Sequence, residues 1–221
     1  SIVVVGTVAP LRQPSADFRG TGFVVGDGEH VITNAHVLPE SAQLGEKERI
    51  AVFTGTADNT RARQVEVVER DRAHDLALLK IGGGRLPPMA LARADSVRAG
   101  ERYAFTGFPI GMVLGMYPVT HEAIISSIAP IAIPQGKARN LDPSMIRQLQ
   151  KPWDVFQLDA TAYPGNSGSP LYNPASGEVI GVVNMVFVKS SKENVLSDPS
   201  GIAYAIPIRH ARALLDEAFS R

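Results

Sequence analysis

The chain has 221 residues, 44% of which are hydrophobic, and its 22 basic side chains balance 22 acidic ones. A chain of this length can bury one large or two small hydrophobic cores. Because the formal net charge is zero, nothing in it predicts binding to nucleic acid or to an anionic membrane. The sequence contains no cysteine, which excludes a thiol nucleophile, a structural zinc site and a disulfide framework.

Targeting and cofactor motifs are not found. No apolar run approaches the length of a membrane span, and residues 1–5, Ser-Ile-Val-Val-Val, are typical of a strand and not of a signal peptide. We therefore expect a mature or trimmed chain without an intrinsic membrane span. Residues 82–84, Gly-Gly-Gly, lack the Gly-Lys-Ser/Thr ending of a phosphate-binding loop, so they predict a turn. We expect neither a cofactor nor a bound metal.

Short β-rich runs separated by Gly, Pro and Asp dominate the chain, a pattern typical of all-β barrels. The first set of predicted strands covers residues 2–8, 22–25, 30–33, 49–53, 64–69 and 76–81. A bridge rich in loop residues, at about 86–100, leads to the second set, at residues 102–107, 117–128, 155–158, 169–171, 178–188 and 202–205.

Helical spacing is found in two places. Ile208, Ala211, Leu215 and Ala218 recur at helical intervals behind Pro207 and predict a C-terminal packing helix over 208–221. A second helical patch, 143–150, lies inside a polar stretch, 130–152, that is too long for a plain hairpin. Residues 189–200 form another polar insertion between the last strands.

One serine stands between glycines just before an apolar strand, in residues 164–171, Pro-Gly-Asn-Ser-Gly-Ser-Pro-Leu. A serine hydroxyl is a poor nucleophile at neutral pH, so it needs a base for its proton and donors for the oxyanion that it creates. Gly165 allows a backbone tight enough for its own N–H and that of Ser167 to converge on one oxygen. Because Gly-Asn-Ser-Gly also occurs in ordinary turns, this segment alone leaves a nucleophile and a plain turn open.

Two upstream segments supply the missing chemical partners. Residues 31–37, Val-Ile-Thr-Asn-Ala-His-Val, place His36 just past a β-branched run, where a loop can aim the imidazole. Residues 74–80, His-Asp-Leu-Ala-Leu-Leu-Lys, place Asp75 in a half-buried position that is costly for a carboxylate without a strong hydrogen-bond partner. His74 is adjacent to Asp75, but neighbours on an extended chain point to opposite sides, so we interpret His74 as structural or solvated.

In the order His36, Asp75, Ser167, these motifs resemble those of the trypsin-like serine proteases. Thr-Asn-Ala-His-Val, Asp-Leu-Ala-Leu-Leu and Gly-Asn-Ser-Gly together are most similar to the HtrA/Deg branch of quality-control proteases. The similarity runs from Gly-Thr-Gly-Phe at 20–23 to Gly-Ile-Ala-Tyr-Ala-Ile-Pro at 201–207.

The resemblance implies an all-β fold of two six-stranded antiparallel β-barrels with a C-terminal α-helix. The whole chain, 1–221, is then a single protease domain. Its predicted parts are a first barrel at about 1–85, a bridge at about 86–100, a second barrel at about 101–207 and a helix at 208–221. The active site is expected in the crevice between the barrels.

The resemblance also implies roles for individual residues. His36 is the general base and later the acid, Asp75 orients it, and Ser167 attacks the substrate carbonyl. Gly165, Asn166 and Ser167 form the oxyanion hole: Gly165 and Ser167 supply N–H donors, and Asn166 fixes the loop between them.

Thr161, Ala162 and Tyr163 precede Ser167 in the loop that lines the substrate pocket of this family. In relatives that cut after Lys or Arg, an acidic residue stands six positions before the nucleophile, where this chain has Thr161. A neutral pocket does not offset the desolvation of a cationic side chain, so we expect small or medium aliphatic residues before the scissile bond.

Asn184, Met185 and Val186 match the family segment whose backbone pairs with the substrate as an added β-strand. Such pairing implies extended, unfolded polypeptide as the substrate. The resemblance leaves open a homo-oligomer or a regulatory partner domain, and it implies a periplasmic or otherwise exported location.

Two features depart from the family pattern. Ser169 stands where a glycine is usual, which matters if that position requires a positive φ, and no PDZ-like segment follows the C-terminal helix. By resemblance, residues 130–152 correspond to a regulatory loop that senses activators; a passive surface excursion is the alternative. The function predicted is a serine endopeptidase acting on unfolded or flexible segments in quality control or regulated proteolysis. The competing interpretation is a catalytically silent pseudoprotease that binds peptides.

Overall fold

A computed structural model describes residues 1–56, 59–93, 96–109, 116–130, 153–161, 163–184 and 202–220. The strands of these residues form two closed antiparallel barrels of six strands each, and an α-helix follows the second barrel. The predicted fold class is therefore confirmed. The helical patch at 143–150 and the insertion at 189–200 lie outside the described residues, as does the long polar stretch from 131 to 152.

The first barrel pairs its strands in the order β1-β2-β3-β6-β5-β4. Its strands are β1 (Ile2–Val8), β2 (Ala16–Val25), β3 (His30–Thr33), β4 (Arg49–Thr54), β5 (Arg61–Asp71) and β6 (Leu76–Ile81). Two short 3₁₀ helices, Ala35–Val37 and Ser41–Gln43, follow β3.

The second barrel pairs its strands in the order β10-β11-β12-β9-β8-β7. Its strands are β7 (Arg102–Gly107), β8 (Val119–Pro130), β9 (Asp154–Asp159), β10 (Pro170–Tyr172), β11 (Val179–Asn184) and β12 (Ile202–Pro207). The helix α1 (Ile208–Phe219) comes directly after β12.

The apolar strands of the first barrel are buried on both faces. In β6, Ala77 and Leu79 lie in the interior of the first barrel, whereas Leu76 and Leu78 belong to a cluster that contains Phe105 and other residues of the second barrel. Successive side chains of a strand point to opposite faces, so a strand between two cores needs apolar residues at nearly every position. This explains the almost unbroken apolar run of β6 and fixes one barrel against the other.

Helix α1 packs one apolar stripe on the barrels. Ile208, Ala211, Leu214 and Leu215 are buried, and Ala218 is partly buried against the same cluster. The residues predicted from their helical spacing therefore lie on the buried face of the helix, and Leu214 also belongs to this face. No helix of the described residues is long and apolar enough to cross a membrane.

The strand β2 is longer than predicted because a close backbone approach extends it. The sequence indicated a strand at 22–25, whereas β2 begins at Ala16 and pairs with β1 over residues 16–23. The register shifts at Gly6, where a Cβ would overlap the backbone oxygen of Asp17, so only glycine permits the pairing there. Phe18 extends the packing by an edge contact with Phe53, at 4.8 Å between ring centroids.

One carboxylate at the rim of the first barrel has a strongly shifted pKa. Glu48 accepts hydrogen bonds from the Thr7 hydroxyl, from Arg12 Nη1 at 2.7 Å and from the Gly45 N–H at 3.1 Å. These donors, the Thr7 hydroxyl first, lower the pKa of Glu48 to about 2 from an ordinary value of 4.5. Because the folded-state pKa is depressed, the stabilisation is complete above about pH 4.5 and is lost as the pH falls towards 2.

We expect Glu48→Gln to lower the Tm at pH 7, because the amide loses the charge that these donors stabilise. The Tm difference from wild type should shrink as the pH falls from about 4.5 towards 2. Thermal unfolding followed by circular dichroism over this pH range measures it, and Glu46→Gln, at an exposed position, is the control. A Tm difference that stays constant down to pH 2 contradicts the assignment.

Candidate active site

The register of two neighbouring strands brings His36 and Asp75 together. Near the end of β3, Thr33 pairs with Ala77 near the start of β6. The segments just beyond these strand ends therefore lie side by side. His36 lies in the 3₁₀ helix Ala35–Val37 that follows β3, and Asp75 immediately precedes β6.

The carboxylate of Asp75 accepts three hydrogen bonds. Its Oδ2 accepts from His36 Nδ1 at 2.6 Å and from Asn184 Nδ2 at 2.7 Å, and its Oδ1 accepts from the His36 backbone N–H at 2.9 Å. A carboxylate oxygen accepts hydrogen bonds, so this contact suits a neutral imidazole with its proton on Nδ1 and its lone pair on Nε2. The His36 side chain is 31% exposed and that of Asp75 18%, which leaves the imidazole as the accessible partner.

The backbone of Asp75 is strained, and two neighbours hold it. Its φ is +53°, in the left-handed region that costs a non-glycine residue about 1–2 kcal/mol. The Asp75 carbonyl accepts from the Ala35 N–H at 3.1 Å and from Asn34 Nδ2 at 3.0 Å. The segment before His36 thus fixes the backbone that presents the carboxylate.

The loop before Ser167 is a type II turn. Asn166 N–H donates to the Tyr163 carbonyl at 3.0 Å, and Gly165 has a φ of +101°. Pro164 in the second position and a glycine with positive φ in the third are the signature of this turn. Its central peptide is rotated by about 180° from that of a type I turn, so the turn type sets the direction of the Gly165 N–H.

The N–H groups of the serine loop fall into two sets. Those of Asn166, Gly168 and Ser169 donate to backbone carbonyl groups at 2.9–3.0 Å. Those of Gly165 and Ser167 donate to no residue in the described part of the chain. The backbone N–H groups of Gly165 and Ser167, on either side of Asn166, are therefore available to an oxygen atom of a ligand.

Ser167 lies close to the His36 segment. Gly20 passes between the two: a Cβ there would come 2.7 Å from Val37 Cγ2 and 2.9 Å from the Ser167 carbonyl oxygen. The Ser167 residue is 6% exposed, and its carbonyl accepts from the Thr21 N–H at 2.8 Å. Within the described ranges no hydrogen bond joins Ser167 Oγ to the His36 ring. Such bonds are often long without substrate and tighten when it binds.

The side chains of Asn166 and Ser169 pack beside the end of β7. Both residues are fully buried, and neither side chain has a hydrogen-bond partner among the described residues. They lie against Gly107, where a Cβ would come 2.7 Å from Asn166 Oδ1 and would overlap Ser169 Oγ. Gly165 and Gly168 have positive φ values but Ser169 does not, so the position of Ser169 does not require glycine.

The residues predicted to bind substrate are described in part. Thr161 is half-buried and Tyr163 is 37% exposed. Asn184 is fully buried at the end of β11, and its bond to Asp75 joins the two barrels. The sequence had indicated only a backbone role for Asn184. Ala162, Met185 and Val186 lie outside the described residues.

His74, the neighbour of Asp75, belongs to a separate cluster. Its Nδ1 bonds to Asp71 Oδ2 at 2.6 Å, and its ring stacks on His210 at 4.0 Å and lies 5.0 Å from Trp153. Burial alone raises the pKa of Asp71, but the hydrogen bonds from His74 outweigh it and leave the pKa lowered. Within the described ranges, no group of His, Asp and Glu is arranged to hold a metal ion.

This double barrel, with a histidine–carboxylate pair on one half and a glycine-flanked serine on the other, defines a serine peptidase class. Residues 20–182 match the family model described as a trypsin-like peptidase domain. The chain therefore belongs to the trypsin-like peptidase family, and the resemblance read from the motifs is confirmed.

Relatives of the HtrA/Deg type are about 30% identical to this chain in sequence. The chain is 30% identical over 198 residues to a probable periplasmic serine endoprotease, DegP-like, of Halomonas elongata, covering 90% of this chain and 34% of that protein. It is 31% identical over 203 residues to serine protease HTRA1 of Xenopus tropicalis, covering 91% and 36%. The chain thus spans about a third of the length of these relatives.

A solved structure shows the same fold. The active form of the Rv3671c protease from M. tuberculosis superposes with a TM-score of 0.68 at 25% identity, and the match covers 98% of this chain and 79% of that one.

Two glycines of similar backbone conformation should differ sharply on substitution. Gly168 has a φ of +86°, and a Cβ there would overlap the Thr21 carbonyl and come 2.5 Å from Thr33 Oγ1; Gly177 has a φ of +74° with nothing within 4 Å. We expect Gly177→Ala to lower the free energy of unfolding by about 1–2 kcal/mol through strain alone. Gly168→Ala should cost at least about twice that, because it adds a backbone clash. Urea unfolding of both variants measures this, and equal losses contradict the packing described.

Proposed function

We propose that this domain hydrolyses peptide bonds through an acyl-enzyme on Ser167, with His36 as the general base and Asp75 as the residue that orients it. The observation that carries the proposal is the 2.6 Å hydrogen bond from His36 Nδ1 to the Asp75 carboxylate. This bond favours the tautomer in which Nε2 can accept a proton. A histidine so paired, in a segment adjacent to a glycine-flanked serine, has the chemistry that activates a hydroxyl.

In the proposed reaction, Ser167 Oγ attacks the carbonyl carbon of the scissile bond while His36 Nε2 takes its proton. The tetrahedral intermediate collapses when the C–N bond breaks and His36 returns the proton to the leaving amine. Water then attacks the acyl-enzyme with His36 again as the base, which releases the acid and restores Ser167. The imidazolium formed in each half-reaction is stabilised by the Asp75 carboxylate.

The negative charge that develops on the substrate oxygen needs donors that are already in place. We propose the N–H groups of Gly165 and Ser167 for this role, with Asn166 holding the loop between them. Their support is that these two N–H groups have no partner in the described part of the chain, whereas the next N–H groups are bonded. Donors fixed before the reaction need no reorganisation, which is why such sites contribute strongly to catalysis.

We propose unfolded or flexible protein segments as the substrates, cut in quality control or regulated proteolysis outside the cytoplasm. A substrate strand would pair with the backbone of residues 184–186, and Thr161, Ala162 and Tyr163 would line the pocket for the preceding side chain. Names of periplasmic serine endoproteases among the relatives support the location.

A second candidate function is a peptide-binding pseudoprotease. Two observations favour it: Ser167 Oγ and the His36 ring share no hydrogen bond within the described ranges, and the buried side-chain amide of Asn166, in the serine loop, has no described partner. Covalent labelling with a fluorophosphonate separates the two functions, because only an activated serine reacts. A protein that binds unfolded peptides and stays unlabelled is the pseudoprotease.

We expect Ser167→Ala to lower turnover roughly a million-fold, and Asp75→Asn to lower it about ten-thousand-fold because the wrong histidine tautomer forms. Ser169→Ala is the matched control and should keep nearly full activity. Hydrolysis of denatured casein and fluorophosphonate labelling, located by mass spectrometry, measure these effects. An adduct on Ser169, or robust activity in Ser167→Ala protein free of wild-type contamination, overturns the assignment.

We expect cleavage after Val, Ala, Leu or Ile to exceed cleavage after Lys or Arg, because a pocket with neutral Thr161 cannot compensate a buried cation. Thr161→Asp should raise cleavage after Lys and Arg and lower it after aliphatic residues. Cleavage-site profiling on denatured casein measures both, with Ser176→Asp, in an exposed turn, as the control for added charge. A wild-type profile dominated by Lys and Arg contradicts the placement of Thr161.

A further inference from the structure

The side chain of Thr21 joins two segments of the second barrel from a position in the first. Thr21 lies on β2 and is fully buried. Its hydroxyl donates to the Gly165 carbonyl at 2.7 Å and accepts from the Phe108 N–H at 3.1 Å. A buried hydroxyl that donates once and accepts once has a defined direction, so its bond to Gly165 is oriented and not only close.

The backbone of Thr21 is held to the same loop. Its N–H donates to the Ser167 carbonyl at 2.8 Å, and its carbonyl accepts from Thr33 Oγ1 at 2.7 Å. The N–H, carbonyl and hydroxyl of Thr21 are therefore all bonded, two of them to the serine loop. Thr33, at the end of β3, holds Thr21 from the other side.

These bonds fix two peptide units of the serine loop at both ends. In the Gly165–Asn166 unit, the carbonyl accepts from the Thr21 hydroxyl and the N–H donates to Tyr163. In the Ser167–Gly168 unit, the carbonyl accepts from the Thr21 N–H and the N–H donates to a strand carbonyl. The N–H groups of Gly165 and Ser167 belong to the units just before each of these. Only one α-carbon separates each of these two N–H groups from a fixed peptide unit. The fixed units therefore limit the directions in which the N–H groups can point.

We infer that Thr21 is a positioning residue for the oxyanion donors. Its hydroxyl holds the type II turn in the conformation that directs the Gly165 N–H towards the substrate oxygen. This inference rests on the proposed peptidase function. Without the hydroxyl, the half-buried Gly165 carbonyl and the buried Phe108 N–H lose their hydrogen-bond partner. The central peptide of the turn is then free to reverse, which removes one of the two donors.

The test compares Thr21→Val, which keeps the branched shape and removes the hydroxyl, with Thr21→Ser, which keeps the hydroxyl. The matched control is Thr7→Val: Thr7 is also fully buried, and its hydroxyl donates to Glu48 and accepts from Arg12. We expect Thr21→Val to lower kcat about a hundredfold with little change in KM. Thr21→Ser should stay within about fivefold of wild type, and Thr7→Val should lower the Tm but not kcat.

A peptidyl boronate, which places an oxygen in the oxyanion site, gives a second readout. Its affinity should fall with kcat in Thr21→Val, while a product peptide binds unchanged. Hydrogen exchange gives a third readout, which does not require catalysis. The hydrogen-bonded N–H groups of Asn166 and Gly168 should exchange faster in Thr21→Val than in wild type, whereas their exchange should not change in Thr21→Ser or Thr7→Val.

The inference is overturned if Thr21→Val keeps the kcat of wild type, if Thr21→Ser fails equally, or if Thr7→Val loses as much turnover. A wild-type protein that neither hydrolyses peptides nor reacts with a fluorophosphonate contradicts the proposed function instead. In that case the exchange rates alone decide: unchanged protection at Asn166 and Gly168 in Thr21→Val refutes the positioning role, and faster exchange supports it.

Discussion

The site depends on the partly buried carboxylate of Asp75 and on the hydrogen-bond donors that stabilise its charge. Taking a charge out of water is costly unless hydrogen bonds replace the lost solvent, and Asp75 obtains three of them, two from His36 and one from Asn184. Its strained backbone is held in turn by Ala35 and Asn34. Because the same bonds orient the imidazole, the interactions that make the buried charge tolerable also hold His36 in the orientation that its proposed role as a base requires.

Neither barrel could form this site alone. Asn184 from the second barrel bonds to the carboxylate of the first, and Thr21 from the first barrel bonds to the serine loop of the second. The apolar cluster between the barrels, with Leu76 and Phe105 among its members, supplies the packing that keeps these polar contacts in register. The Asn184 bond and the two Thr21 bonds cross the same interface in opposite directions, so a shift of one barrel against the other would disturb both the Asp75 carboxylate and the serine loop.

Local sequence was sufficient for some of these features and not for others. The short β-branched runs predicted most strands, and the motifs around His36, Asp75 and Ser167 indicated the family, because each lies within a few consecutive residues. The bonds of Thr21 to Gly165 and of Asn184 to Asp75 join positions 144 and 109 residues apart, and no local pattern reports such pairing. The early start of β2 was missed for a similar reason, since it depends on how closely Gly6 of another strand approaches.

The proposed site is tested most directly by a crystal structure of the protein with a peptidyl boronate in which the residue attached to boron is valine. We predict a bond from boron to Ser167 Oγ, one boronate oxygen about 3 Å from the N–H groups of both Gly165 and Ser167, and His36 Nε2 within hydrogen-bond distance of Ser167 Oγ. Boron attached to another residue, or a boronate oxygen directed to solvent with the Pro164–Gly165 peptide reversed, would contradict this prediction.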